Sequence, residues 1–141
     1  MTLRLSGSLV DEIQREGERA YPAECCGVLA GRPGEVKVVV KLVPMTNRRT
    51  DDAHRYLIAP DDLRSIEADL RASGLEVLGC YHSHPDHPAA PSAFDTAQAW
   101  PWYSYLIVRV DRGRAADLTS WVLDDDRSAM SSESVDVLSE V

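Results

Sequence analysis

GCYHSHPDHPAAPSAFD, residues 79–95, is the stretch from which the rest of the chain is read. The residues leading into it, Leu75 to Tyr81, form a short apolar run bounded by Ser73-Gly74 and by the polar His-Ser-His-Pro, which predicts a buried strand. Side chains two apart on an extended chain point to the same side, so His82 and His84 converge while Ser83 points away. Pro85, Pro88 and Pro91 forbid a regular helix or a central strand through the next residues, so the chain turns there. It resumes at Ser92-x-x-Asp95, followed by Ala97, Gln98 and Ala99. That pattern predicts a short helix with Ser92 near its cap and Asp95 one turn in, pointing back to where the loop began.

Two neutral imidazoles, one carboxylate and an open fourth position make the usual donor set of a catalytic zinc, with bonds of about 2.0–2.2 Å. Zinc so held lowers the pKa of a water to about 7, and a nearby carboxylate is then needed to move protons. The sequence offers one at Glu24, in PAECCGVLAG at the mouth of an apolar strand. The expectation is one zinc ion per chain held by His82, His84 and Asp95, with Glu24 beside it.

His82-Ser-His84-Pro, Ser92-x-x-Asp95 and the upstream Glu24 together closely resemble the signature of the JAMM (MPN+) zinc metalloproteases, and ECCGVLAG, GCYHSHP and WYSYLIV look like the small prokaryotic members. The resemblance runs from about Glu24 to Trp121. It implies an α/β fold, the MPN/JAB domain, in which a mixed β-sheet is flanked by helices in a cytidine-deaminase-like α-β-α arrangement. It also implies that His82, His84 and Asp95 bind zinc, that Glu24 is the general base and acid, and that Ser92 helps hold the tetrahedral oxyanion. The activity implied is that of an isopeptidase or peptidase. The bond cut follows the C-terminal Gly-Gly of a ubiquitin-like or sulfur-carrier protein, joined to a lysine side chain or to the amino group of cysteine. An open sheet edge beside the zinc would suit such a tail. Only ten residues separate Asp95 from Tyr105, too few for a long substrate-recognising insertion, which favours a simple carrier protein. Two rivals are a zinc amidohydrolase or deaminase acting on a small molecule and a metal-free scaffold; the second requires degenerate ligands, and all five motif positions are intact.

At 141 residues, 44% of them hydrophobic, the chain has the size and composition of one globular domain. Its first residues, MTLRLSGSLVDEIQ, hold no sustained apolar run and no segment reaches the roughly 20 apolar residues that span a bilayer, so a soluble, cytoplasmic protein is expected, with no membrane partner. The net charge is −8 and no basic stripe is present, which excludes nucleic acid as the expected partner. Homodimerisation is compatible with the sequence. The expected organisation is a catalytic domain over 1–126 and an acidic, loosely ordered tail over 127–141, where apolar residues are sparse. Cys25, Cys26 and Cys80 make no disulfide framework and read as packing residues.

In chain order, Leu3 to Leu5 reads as a strand, and a helix capped by Ser8 carries Leu9, Val10, Ile13 and Ala20 to the Tyr21-Pro22 step. Strands follow at Cys26 to Ala30 and Val36 to Leu42 around a Gly31–Gly34 turn, then a polar loop over 47–53 and a strand at Tyr56 to Ile58. Pro60 opens a helix with Leu63, Ile66 and Leu70 on one face and Gly74 as its stop. Beyond the site, Tyr105 to Val110 and Leu118 to Leu123 predict a hairpin. His54 and His87 read as exposed loop histidines, and Trp100, Trp102 and Trp121 as core or half-buried aromatics.

Overall fold

Alternation of apolar and polar residues builds most of the strands, and helical spacing of Leu9, Val10, Ile13 and Gly17 builds the first helix. The computed structural model describes residues 1–45 and 60–139. Their elements run β1 (Thr2–Ser6), α1 (Gly7–Ala20), β2 (Cys26–Arg32), β3 (Val36–Met45), α2 (Pro60–Ala72), β4 (Glu76–Pro85), α3 (Ala93–Gln98), β5 (Ser104–Asp111), β6 (Arg114–Leu123) and β7 (Met130–Leu138). The polar loop at 47–53, the strand at 56–58 and His54 lie outside the described residues. No helix among the described residues is long and apolar enough to cross a membrane.

The strands form one mixed sheet in the order β1-β3-β2-β4-β5-β6-β7, and β7 returns to pair in parallel with β1, so the sheet closes on itself. Helix α1 packs against β1, β4, β5, β6 and β7, and α2 against β4. The main core joins Leu3, Leu5 and Ile13 to Leu29, Leu78, Tyr81, Leu106 and Val108, while a second core under α2 joins Leu70 to Val28, Ala30 and Val77. Strand β4 is therefore covered on both faces, and all its residues after Glu76 are buried.

Four expectations are corrected. The loose tail expected over 127–141 is replaced in its described part, 127–139, by Met130–Leu138, the strand that closes the ring between β6 and β1. Its inward residue is polar, which hid the pattern: Glu133 is buried and accepts the hydroxyls of Ser104 (2.7 Å) and Ser120 (2.8 Å). The buried Lys37 ammonium completes that cluster by donating to Ser104 Oγ (2.9 Å) and to the Trp102 carbonyl. Closure also gives each described strand a neighbour on each side, so among the described residues no whole strand offers the free edge expected beside the site. The cap of α1 is Ser6, not Ser8; the Ser6 hydroxyl accepts the Leu9 amide because the helix begins one residue before Ser8. Trp100 and Trp102 are exposed, since they lie in the turn between α3 and β5 where no layer covers them, and the Trp102 ring lies 4.3 Å from Lys37 Nζ.

Gly79 sets how closely β4 and β5 approach. Its φ is +156°, and a Cβ there would lie 1.8 Å from the Ser104 carbonyl oxygen, which is backbone and cannot step aside. Gly79→Ala is expected to lower stability by at least about 2 kcal/mol through clash and strain, read as a fall in the urea midpoint.

Candidate metal centre

The register of two strands brings together residues 60 positions apart. Strands β2 and β4 pair antiparallel with Cys26 opposite His82 and Gly27 opposite Tyr81. Continuing that register by two residues sets Glu24 opposite His84, on the face that carries both histidines. Strand β4 then runs parallel to β5, so the chain must cross over from Pro85 to Ser104, and the crossover carries α3 back over the end of β4.

Helix α3 begins with a complete capping box. The Ser92 hydroxyl accepts the Asp95 amide (3.0 Å), and Asp95 Oδ2 accepts the Ser92 amide (2.9 Å). This reciprocal pair fixes where Asp95 points, one turn into the helix and back toward β4. His82, His84, Asp95 and Glu24 are all buried, whereas Ser92 and His87 are exposed at the mouth of the site.

Three electron-pair donors face one another there. His82 Nε2 lies 3.0 Å from His84 Nε2 and 3.4 Å from Asp95 Oδ1, and His84 Nε2 lies 3.0 Å from Asp95 Oδ2. Donors on a tetrahedral ion with bonds of about 2.0–2.1 Å stand about 3.3 Å apart, so this triangle has the size of one face of such a site. The tautomer of His84 agrees. Its Nδ1 lies 2.8 Å from the Pro88 carbonyl, which only accepts, so Nδ1 carries a proton and the neutral ring presents Nε2 as a lone pair to the triangle. Burial pushes the His82 pKa down, against the pull of Asp95, and so favours its neutral form too. Burial works against the Asp95 carboxylate, and the Ser92 amide, which donates to its Oδ2, favours the ionised form. Two neutral imidazoles and a carboxylate turned inward onto one point are satisfied together by a cation, and these residues fit a divalent ion.

Glu24 forms a wider set with the same histidines, its ligand atom lying within 4.8 Å of theirs. Two carboxylates thus stand beside the two rings, with Asp95 3.0–3.4 Å from their Nε2 atoms. His87 is exposed in the loop and lines the cleft beside His84. The loop itself is held from several elements: Tyr21 donates to Asp86 (2.6 Å), Asp86 accepts the Arg112 amide (2.7 Å), and Thr119 donates to the Ala89 carbonyl (2.5 Å). None of these partners is marked in the sequence, and neither is the Pro88 carbonyl, because a proline-rich loop does not announce which carbonyl faces a ring. A cleft of about 440 Å³ opens beside His84, lined by Pro85, Pro88, Pro91, Ser92 and Phe94 among others.

Residues 6–124 match the family described as prokaryotic homologs of the JAB domain. The desampylase of Haloferax volcanii is 36% identical over 115 residues, covering 80% of this chain and 81% of that protein. The CysO-cysteine peptidase of Mycobacterium tuberculosis is 30% identical over 137 residues, covering 96% and 91%. A protein of Desulfitobacterium hafniense solved in solution superposes with a TM-score of 0.85 at 28% identity, over 99% of this chain and 94% of that one.

Elemental analysis of the purified protein is expected to find one divalent ion per chain. His84→Ala and Asp95→Ala should lose most of it and His87→Ala should keep it; the opposite pattern would move the site onto the loop.

Proposed function

The chain belongs to the family of prokaryotic homologs of the JAB domain, and from that membership we propose that it is a zinc-dependent peptidase cutting the amide bond that follows the C-terminal Gly-Gly of a ubiquitin-like or sulfur-carrier protein. The observation that carries this reading is the inward-facing triangle of His82, His84 and Asp95 with a second buried carboxylate, Glu24, beside the two rings. Zinc held by the three ligands would supply Lewis acidity toward a carbonyl oxygen and a water acidic enough to attack at neutral pH.

The remaining work falls to the chain's own groups. Glu24 accepts the proton of the attacking water on a carboxylate oxygen and returns it to the nitrogen of the departing amine, so that one residue serves as base and then as acid. Ser92 stands at the rim, where its oxygen already accepts the Asp95 amide. A hydroxyl that accepts with a lone pair still has its proton to give, so Ser92 can cap α3 and donate to the scissile carbonyl oxygen as negative charge builds there. The proline-lined cleft beside His84 suits an extended tail without side chains, since glycine lets a backbone approach closely. The relatives' names give the substrate class its support: one is a desampylase and another a peptidase acting on CysO-cysteine.

The test is a small carrier protein joined through Gly-Gly to a lysine or cysteine amine, incubated with the zinc-loaded chain. Cleavage after the second glycine should be abolished by a chelator and restored by zinc. Glu24→Gln should keep zinc and lose about 10²–10⁴-fold in turnover. Cleavage at the wild-type rate by Glu24→Gln, or activity confined to small-molecule amides, would overturn the reading.

Ser92→Ala should lose about 10²–10³-fold in kcat while retaining zinc, beyond the about 0.5–2 kcal/mol expected from loss of the cap alone. Ser92→Thr should recover stability better than rate. A Ser92→Ala protein that cleaves at the wild-type rate and only melts earlier would restrict this residue to capping.

A further inference from the structure

Ser83 stands between the two histidines and takes no part in the donor triangle. Its side chain points to the opposite face of β4, where it is wholly buried against α1; a Cβ added at Gly17 would lie 3.3 Å from the Ser83 Cβ. There its hydroxyl oxygen accepts the amide of Cys25 at 2.8 Å, and its own amide donates to the Cys25 carbonyl at 3.2 Å. The amide of Cys25 is the nitrogen of the Glu24–Cys25 peptide. Ser83 thus holds Cys25 on both sides: its hydroxyl takes the peptide that leads directly out of Glu24, and its amide takes the peptide after it.

That grip falls where regular pairing has stopped. Strand β2 begins at Cys26, which sits opposite His82, and Glu24 and Cys25 lie ahead of it outside the strand. An unpaired strand end frays, and a carboxylate on it would swing over several ångströms, whereas proton transfer needs a donor–acceptor geometry held within a fraction of one. The Ser83 hydroxyl extends the β2–β4 pairing beyond the ladder. Ser83 is wholly buried, so solvent competes little for that bond.

We propose that Ser83 is a positioning residue for Glu24: its hydroxyl fixes the Glu24–Cys25 peptide so that the Glu24 carboxylate is held beside the two rings, and it sets the rate of proton transfer while touching neither metal nor substrate. The proposal rests on the reading of Glu24 as proton carrier. A residue that merely filled space would affect melting and leave kcat unchanged well below the melting temperature.

Two measurements test it on the full chain. In the metal-free protein, hydrogen exchange at the Cys25 amide should quicken by roughly tenfold or more in Ser83→Ala and return toward wild type in Ser83→Thr, which keeps the hydroxyl. In the zinc-loaded protein, single-turnover cleavage of the Gly-Gly-linked carrier should slow by about 10- to 100-fold in Ser83→Ala, with zinc content and KM unchanged. The same substitution made in Glu24→Gln should cost nothing further, since two residues that act through one proton transfer are not additive. If Ser83→Ala is not recovered folded, Ser83→Cys, of similar size but a far weaker acceptor, replaces it. Unchanged exchange at Cys25, loss of zinc, or an equal slowing in both backgrounds would overturn the proposal alone. Full turnover by Glu24→Gln by itself would overturn the assignment of Glu24 and, with it, this role for Ser83.

Discussion

Three electron-pair donors held face to face in a buried site repel one another unless a cation lies between them, and much of the surrounding structure serves to keep them there. His82 and His84 are held by a strand bonded on both sides, and Asp95 by a helix cap. A loop pinned from α1, β5 and β6 lets the Pro88 carbonyl reach the far nitrogen of His84. Each hydrogen bond is ordinary in strength, about 1 kcal/mol net. Together they over-determine the position of each ring and carboxylate, which keeps an arrangement costly in the absence of an ion from relaxing into one where the donors turn apart.

The capping box shows how one local motif serves two ends. Asp95 Oδ2 accepts the Ser92 amide and simultaneously faces His84, so the bond that starts α3 also orients the carboxylate toward the histidines. Because the cap and the contact with His84 fall on the same carboxylate, a helix of only six residues is enough to hold it. The crossover between parallel β4 and β5 would require a connection of this kind in any case; placing the capped turn of α3 at its start turns that topological requirement into a third donor.

Ring closure has its own polar device. Lys37, Ser104, Ser120 and Glu133 come from β3, β5, β6 and β7 and form a buried cluster. Burial pushes the Lys37 pKa down, and the Glu133 carboxylate offsets only part of that. The cluster explains why a segment with few apolar residues is nonetheless a strand: β7 is recruited as much by the hydroxyls waiting for Glu133 as by the packing of Val135.

By itself the sequence determined the elements whose cause is local. Period-two spacing put His82 and His84 on one face, the prolines forced a turn, Ser92-x-x-Asp95 wrote its own capping box, and Gly74 stopped α2 in a left-handed turn with φ +73°. Family resemblance supplied the association of Glu24 with that motif. Tertiary structure alone decided what depends on pairing between distant segments. It decided that Glu24 stands opposite His84 through the β2–β4 register, that Pro88 rather than another carbonyl fixes the His84 tautomer, and that β7 is a strand. Glu133 marks the boundary between the two: a lone glutamate in an acidic segment reads as solvated, and only the arrival of Ser104, Ser120 and Lys37 from three other strands makes burying it favourable.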